Sequence, residues 1–188
     1  MSAGEAEDLV PALARAEVVL RATSAEHSAG GVTVTGFLFD MPVLFEEFVT
    51  VALREALEAR YGGRVAGQDL RFLDLAGRVR MYPDIVWYRR GVAVAVADAK
   101  YKAEQPSGYP NADLYQMLAY CTALRLPRGH LVHAKGSGEP ARHVVREAGI
   151  EILAHALDLD AGLRSLLTQI QGLASMITST RAEEEVYI

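Results

Sequence analysis

The stretch from Met81 to Lys102, M-Y-P-D-I-V-W-Y-R-R-G-V-A-V-A-V-A-D-A-K-Y-K, constrains the fold more than any other part of the chain. Two runs of strand-forming residues, Asp84 to Tyr88 and Val92 to Ala99, flank Arg89-Arg90-Gly91, where glycine supplies the positive φ of a tight turn. The spacing predicts a hairpin in which residues whose numbers sum to roughly 180 to 182 face each other, so Asp84 lies across from Asp98. Opposed Cβ atoms in such a pair sit about 4.5–5.5 Å apart, and like charges there are destabilising. Strict alternation sends Val92, Val94, Val96, Asp98 and Lys100 to one face and Ala93, Ala95, Ala97 and Ala99 to the other. Two carboxylates and an ammonium therefore converge at one rim. A hard divalent cation such as Mg²⁺ would cancel the repulsion between the carboxylates. The lysine beside it could orient or deprotonate a water, or stabilise charge on a phosphate. A hairpin that simply ends in solvated charges has the same sequence.

Around this hairpin the chain alternates helices and strands. Asp8 to Ala22 has the spacing of a moderately amphipathic helix, and the Ser-, Ala- and Gly-rich run from Thr23 to Thr35 reads as a linker. Asp40 is a suitable N-cap and Pro42 a first-turn residue for a helix that reaches about Tyr61, with Phe45, Phe48, Val49, Ala52, Leu53 and Ala56 on its apolar face. Glu46 borders that face and Glu47 points away; either could be an ordinary charged flank, or Glu46 a further ligand at the rim. Tyr61-Gly62-Gly63 ends the helix. Asp69 to Leu75 reads as a strand that would complete a three-strand antiparallel meander with the hairpin. Gln105 to Pro110 reads as a loop.

A second helix opens near Asn111 or Asp113, with Leu114, Met117, Leu118, Cys121 and Leu124 as its buried stripe. Gln116 and Tyr120, four apart, stack on one side of it; the pair reads either as a polar edge or as a contact to substrate. Gly129 to Lys135, Arg142 to Arg146 and Glu151 to Leu153 read as strands. His130 and His133, three apart, point to opposite faces of theirs and read as structural. Leu157 to about Ile177 reads as a C-terminal helix, followed by a polar tail.

Composition narrows the function classes. A chain of 188 residues, 51% hydrophobic, fits one domain with a sizeable core. A single cysteine, Cys121, excludes an intrachain disulfide and a four-cysteine metal or iron–sulfur site. No run of 18 or more apolar residues is present, and the acidic start M-S-A-G-E-A-E-D lacks the basic region of a signal peptide, so a cytoplasmic protein is expected. Net charge is −5, yet Arg60 to Lys102 holds nine Lys/Arg against four Asp/Glu. The basic footprint is confined to the segment with the charged rim.

Pro83-Asp84 followed after the hairpin by Asp98-Ala99-Lys100 resembles the PD-(D/E)xK phosphodiesterase site. The order helix, three strands, helix, strand resembles the restriction-endonuclease-like core of that superfamily: α/β, αβββαβ, a central mixed sheet flanked by helices. Gln116-x-x-x-Tyr120 resembles the extra motif of its RecB-like branch. More narrowly, D-M-x-x-L-F-E-E-F-V (Asp40 to Val49), P-D-I-V (Pro83 to Val86), D-A-K-Y-K (Asp98 to Lys102) and D-L-Y-Q-M-L-A-Y (Asp113 to Tyr120) look like the nuclease domain of McrC, the cleavage subunit of the McrBC modification-dependent restriction system. The similarity covers roughly residues 37 to 135.

The resemblance implies a Mg²⁺-dependent DNA endonuclease, with Mn²⁺ able to substitute. Asp84 and Asp98 would hold the metal with Glu46 as an additional ligand, Lys100 would assist the attacking water, and Lys102, Gln116 and Tyr120 would contact the nucleic acid. It implies an NTPase motor partner, a McrB-like GTPase, although only about 35 residues precede the nuclease motifs where McrC proteins carry a larger partner-binding region. Cutting both strands would ordinarily need two sites, hence a homodimer. A non-cleaving adaptor that binds DNA or a motor, and an exonuclease or RNA nuclease, remain alternatives. The expected organisation is an N-terminal helix and linker over 1–35, a nuclease domain over 36–178 and a tail over 179–188.

Overall fold

The structure, a computed structural model, describes residues 24–29, 32–37, 40–103, 111–135 and 140–184. The helix expected over Asp8 to Ala22, the loop from Gln105 to Pro110 and the last four residues lie outside this set. Strands β1 (Ser24–Ala29) and β2 (Val32–Phe37) come first, then α1 (Met41–Tyr61), β3 (Arg64–Ala66), β4 (Arg71–Phe72), β5 (Arg80–Met81), β6 (Ile85–Arg89) and β7 (Val92–Ala103). Helix α2 (Asn111–Leu124), β8 (Arg128–Lys135), β9 (Ala141–Val144), β10 (Glu151–Ala156) and α3 (Leu163–Glu184) follow.

Six strands form one sheet in the order β3-β6-β7-β8-β10-β9. The β3, β6 and β7 pairings are antiparallel, β7-β8 and β8-β10 are parallel, and β9 closes the far edge antiparallel to β10. Helix α2 supplies the crossover that two parallel neighbours require. This is an α/β fold with a mixed central sheet and helices on both faces, compatible with the restriction-endonuclease-like core.

The two faces bury separate cores. On one, Phe45, Val49, Leu53 and Leu57 of α1 and Ile170, Leu173 and Ile177 of α3 cover Ile85, Trp87, Ala95, Ala97, Ala99 and Val132. On the other, Met117, Tyr120 and Cys121 of α2 cover Val86, Tyr88, Val96, Leu131 and Ile152. Small alanines along β7 let α1 approach closely, and Gly129 does the same for α2: a Cβ there would stand 2.4 Å from Met117 Sδ. Burial pushes the Cys121 thiol up to about 12, as suits a core residue.

The hairpin forms as expected, with Ile85 opposite Ala97 and Val86 opposite Val96, and Arg90 and Gly91 both at positive φ in the turn. Strict alternation fails at one point. Between Trp87 and Tyr88 the partner on β7 jumps from Ala95 to Ala93, a bulge that makes Val94 the extra residue. Val94 consequently packs with the α1 side, while Ala93 joins Val96 on the α2 side.

Three other expectations are corrected. The run from Thr23 to Thr35, read as a linker, contains most of an antiparallel β1-β2 pair. The first strand of the meander is β3, not Asp69 to Leu75; it is short, and Glu58 Oε1 accepts from Val65 N at 2.6 Å to hold it. Within Asp69 to Leu75 only Arg71 and Phe72 pair, with β5, in a separate two-stranded excursion whose Leu70, Phe72, Leu73 and Leu75 are exposed. The last helix begins at Leu163 because Leu157 still donates to His133 O at 2.9 Å, in continuation of β10.

His130 and His155 lie buried side by side on neighbouring strands, Nδ1 to Nε2 at 2.9 Å, rings stacked. Burial pushes both below the usual imidazole range, His155 to about 4. A histidine whose folded pKa is depressed costs stability as pH falls below its unfolded value of about 6.5. The urea midpoint should therefore fall from pH 6.5 towards 4, and a His130→Leu/His155→Leu variant should show a shallower decline than the wild type. In the core, Leu53→Ala is expected to cost about 2–5 kcal/mol by urea denaturation, whereas Leu75→Ala, at a fully exposed position, should stay within about 0.5 kcal/mol.

Candidate active site

Pro83 leads into β6, and Asp84 stands just before it on the α2 side, 6% exposed. Its Oδ2 accepts from Ala99 N at 2.9 Å, across the hairpin. Asp98, on β7 and 1% exposed, shares the face of Val96. Two residues further, Lys100 makes an ion pair with Asp98. The three residues expected at one rim therefore meet there.

Glu46 enters from the second turn of α1. It is joined to the rim by Gln68, a residue the sequence reading passed over: Gln68 Nε2 donates to Glu46 Oε1 and to Asp84 Oδ1, both at 2.7 Å. Gln68 has a φ of 48°, a conformation that costs a non-glycine residue about 1–3 kcal/mol. Its backbone N–H donates to Asp84 O, and the next, of Asp69, to Pro83 O. The strained loop thus aims one amide between two carboxylates.

Burial first, then the charge of Asp98, pushes Asp84 up to about 8, while the Ala99 N–H opposes the shift. For Lys100, burial favours the neutral amine, but Asp98, Asp84 and Asp113 outweigh it and hold the side chain as an ammonium. Asp113, in the first turn of α2 and 5% exposed, is a second residue the sequence reading missed as part of the site, although it heads the quoted motif. His133, buried, pairs its Cα with Lys100 in the β7-β8 register.

Gln116 and Tyr120 tie α2 to the same place. Gln116 Nε2 donates to Tyr120 OH at 2.7 Å, and Tyr120 OH donates to Tyr82 O, two residues before Asp84. Burial, then the charges of Asp98 and Asp84, push the Tyr120 hydroxyl up, so it stays a phenol. Tyr120 is buried and Gln116 exposed, which separates their roles: one braces the site, the other faces outward. Glu47 is exposed, as expected. Lys102 falls on β7, and its side chain lies outside the described part.

Carboxylate oxygens are the donors Mg²⁺ takes, and Glu46, Asp84 and Asp98 would supply them; burial first, and then the charge of Asp98, raises the Asp84 pKa. As the side chains stand, no three His, Cys, Asp or Glu among the described residues are grouped to hold an ion. Gln68 occupies the gap between Glu46 and Asp84, and Lys100 the flank of Asp98. In chelator, Gln68→Ala should lose about 1–3 kcal/mol by urea denaturation, since two bonds to carboxylates go. Adding Mn²⁺ should restore more stability to the variant than to the wild type.

Among comparisons with known proteins, residues 6–134 match the family model of the McrBC 5-methylcytosine restriction system component. No curated protein matches the chain. The match takes in α1, the hairpin, α2 and nearly all of β8, the elements that carry Glu46, Asp84, Asp98, Lys100, Gln116 and Tyr120. It extends over more than half of the 188 residues. The chain belongs to the McrBC 5-methylcytosine restriction system component family.

Proposed function

We propose that the chain is the DNA-cleaving subunit of an McrBC-type restriction system, a Mg²⁺-dependent endonuclease of the PD-(D/E)xK type acting with a McrB-like GTPase motor. The observation that carries this reading is the meeting of Asp84, Asp98 and Lys100 at one buried rim, with Glu46 brought to it by Gln68. Carboxylates so far removed from water are costly to desolvate, and a bound cation would offset the part of that cost which Lys100, Gln68 and the Ala99 N–H leave.

Asp84 and Asp98 would hold Mg²⁺, with Glu46 as a further ligand. When bound, the ion would polarise the scissile phosphate and lower the pKa of the attacking water. Lys100, kept as an ammonium by its carboxylate neighbours, suits stabilisation of the charge that grows on the phosphoryl oxygens, or orientation of the water, better than proton abstraction. Tyr120 holds the segment before Asp84 through Tyr82 O, and Gln116, on the exposed side of the same helix, would position the strand together with Lys102. Hydrolysis would leave a 5′-phosphate and a 3′-hydroxyl. Double-strand cutting would use two copies of the chain, in the cytoplasm.

Supercoiled plasmid and linear single-stranded DNA, incubated with the purified chain and Mg²⁺ or Mn²⁺, with and without a McrB-like GTPase and GTP, test this. The wild type should cut, alone or with the motor. Lys100→Ala should cut at least about 100-fold more slowly, in a sample whose circular dichroism shows the fold retained even though loss of the Asp98 partner lowers its thermal midpoint. Undiminished cutting by a pure, folded Lys100→Ala sample would overturn the assignment.

A further inference from the structure

At the opposite end of β6 from Asp84, three arginines gather around one tyrosine. A cleft of about 330 Å³ is lined by Gly63, Arg64, Arg71, Tyr88, Arg90 and Gly91. The Arg64 and Arg71 guanidinium carbons lie 5.3 and 5.5 Å from the Tyr88 ring centroid. That ring draws two cations together, which mutual repulsion alone would keep apart. Arg71 is fixed in place: it donates to Asp69 Oδ2 and to Tyr88 OH, and Tyr88 OH in turn donates to Asp69. Arg64 and Arg90 have no carboxylate in ion-pairing distance among the described residues. Of the three guanidinium groups lining the cleft, only that of Arg71 has a carboxylate partner among the described residues.

The backbone keeps the cleft open. At Gly63 φ is 87°, and a Cβ there would stand 2.4 Å from Tyr88 O and 2.9 Å from Trp87 Nε1. Only glycine lets the chain leaving α1 lie this close against β6. On the other side, Arg90 at a φ of 53° and Gly91 at 80° turn the hairpin back so that the Arg90 side chain borders the same space.

We infer that this cleft is a phosphate-binding subsite for the DNA backbone, a reading that rests on the proposed nuclease function and gives it a second point of contact. Guanidinium forks with no protein carboxylate to satisfy them match phosphate oxygens in geometry and charge. Tyr88 and Val86 belong to the same core cluster, and the two-residue period puts Asp84 on that face as well. Four residues of strand separate Asp84 from Tyr88, about 13 Å at about 3.3 Å per residue. Along the axis of a duplex, where each strand rises about 3.4 Å per nucleotide, that distance corresponds to about four nucleotides. The subsite would hold a phosphate a few nucleotides from the bond being cut, and fix register without reading sequence.

Binding of a fluorescein-labelled DNA duplex, followed by anisotropy from low to high NaCl in a Lys100→Ala background that leaves the DNA intact, tests the inference. Adding Arg64→Ala and Arg90→Ala should weaken binding at least tenfold at low salt. It should also reduce the slope of log affinity against log salt by about 0.9 for each phosphate that is no longer neutralised. Arg64→Lys with Arg90→Lys should recover most of the slope. In the chain with Lys100 intact, the double alanine variant should raise KM and leave kcat within about twofold, as loss of uniform binding requires. Both arginines are exposed, and an unchanged thermal midpoint certifies the fold. Unchanged affinity and slope would overturn the subsite even where cutting is intact, and so would a parent chain that binds no duplex. An arginine-dependent slope in a chain that never cuts would support the subsite and count against the nuclease reading alone.

Discussion

The burial of two carboxyl groups, Asp84 and Asp98, side by side is the constraint around which this molecule is arranged. The two stand where the hairpin strands bring their ends together, both under α2 and almost wholly removed from water. Each neighbouring element supplies something that offsets the cost. The Ala99 N–H donates to Asp84, the Lys100 ammonium pairs with Asp98, and the Gln68 amide bonds Asp84 and Glu46 together. These contacts are local and directional, so moving any of α1, the β3–β6 loop or β7 relative to the others would leave a buried charge without its partner.

That interdependence explains why apparently secondary features of the fold take the form they do. The bulge at Val94 changes the face of the residues on the turn side of it, so that Ala93 and Val96 share one side while Val94 and Ala95 share the other. Beyond the bulge, Val96, Asp98 and Lys100 keep to the α2 side, and the alanines between them make room for α1. The unfavourable backbone of Gln68 is a further local concession to the same end. Gly129 lets α2 settle against β8, which brings Tyr120 close enough to brace Tyr82 and, through it, the segment that carries Asp84.

Most of the site was legible in the sequence because it rests on short-range rules. A tight turn with glycine fixes a hairpin register, the register fixes which residues meet across it, and a helix cap at Asp40 fixes the phase that brings Glu46 and not Glu47 towards the rim. The mixed sheet and its flanking helices were what the resemblance of the element order to the restriction-endonuclease-like core implied. What escaped depends on contacts that no period announces. β3 is three residues long with a single buried side chain, Val65, and owes its place to Glu58; a strand so short has no alternation to detect. Asp69 to Leu75 looked like a strand because it is apolar, but its leucines point to water. Gln68 reaches the site by a positive φ, which nothing about a glutamine in a Gly-Gln-Asp turn signals. Asp113 looked like a helix-opening residue, and it is one, but the fold also turns it towards Lys100.

Charge distribution links the rim to the rest of the surface. The segment from Arg60 to Lys102 carries nine basic and four acidic residues, a balance of +5 in a chain of net −5, so the remainder carries −10. An acidic body repels a polyanion at long range and restricts attraction to this one segment, where the carboxylates of the rim would themselves be countered only once a cation is bound. Under those conditions a few well-placed arginines matter more than a broad basic face. Arg64 on β3, Arg71 on β4 and Arg90 in the hairpin turn line one cleft, the first two drawn to the Tyr88 ring, on the same sheet face as Asp84. A DNA strand gripped there and at the rim would be held at two points set by the rigid spacing of β6. Orientation would then come from the sheet itself, and the strength of the grip from whatever partner supplies the additional contacts that so small a basic footprint lacks.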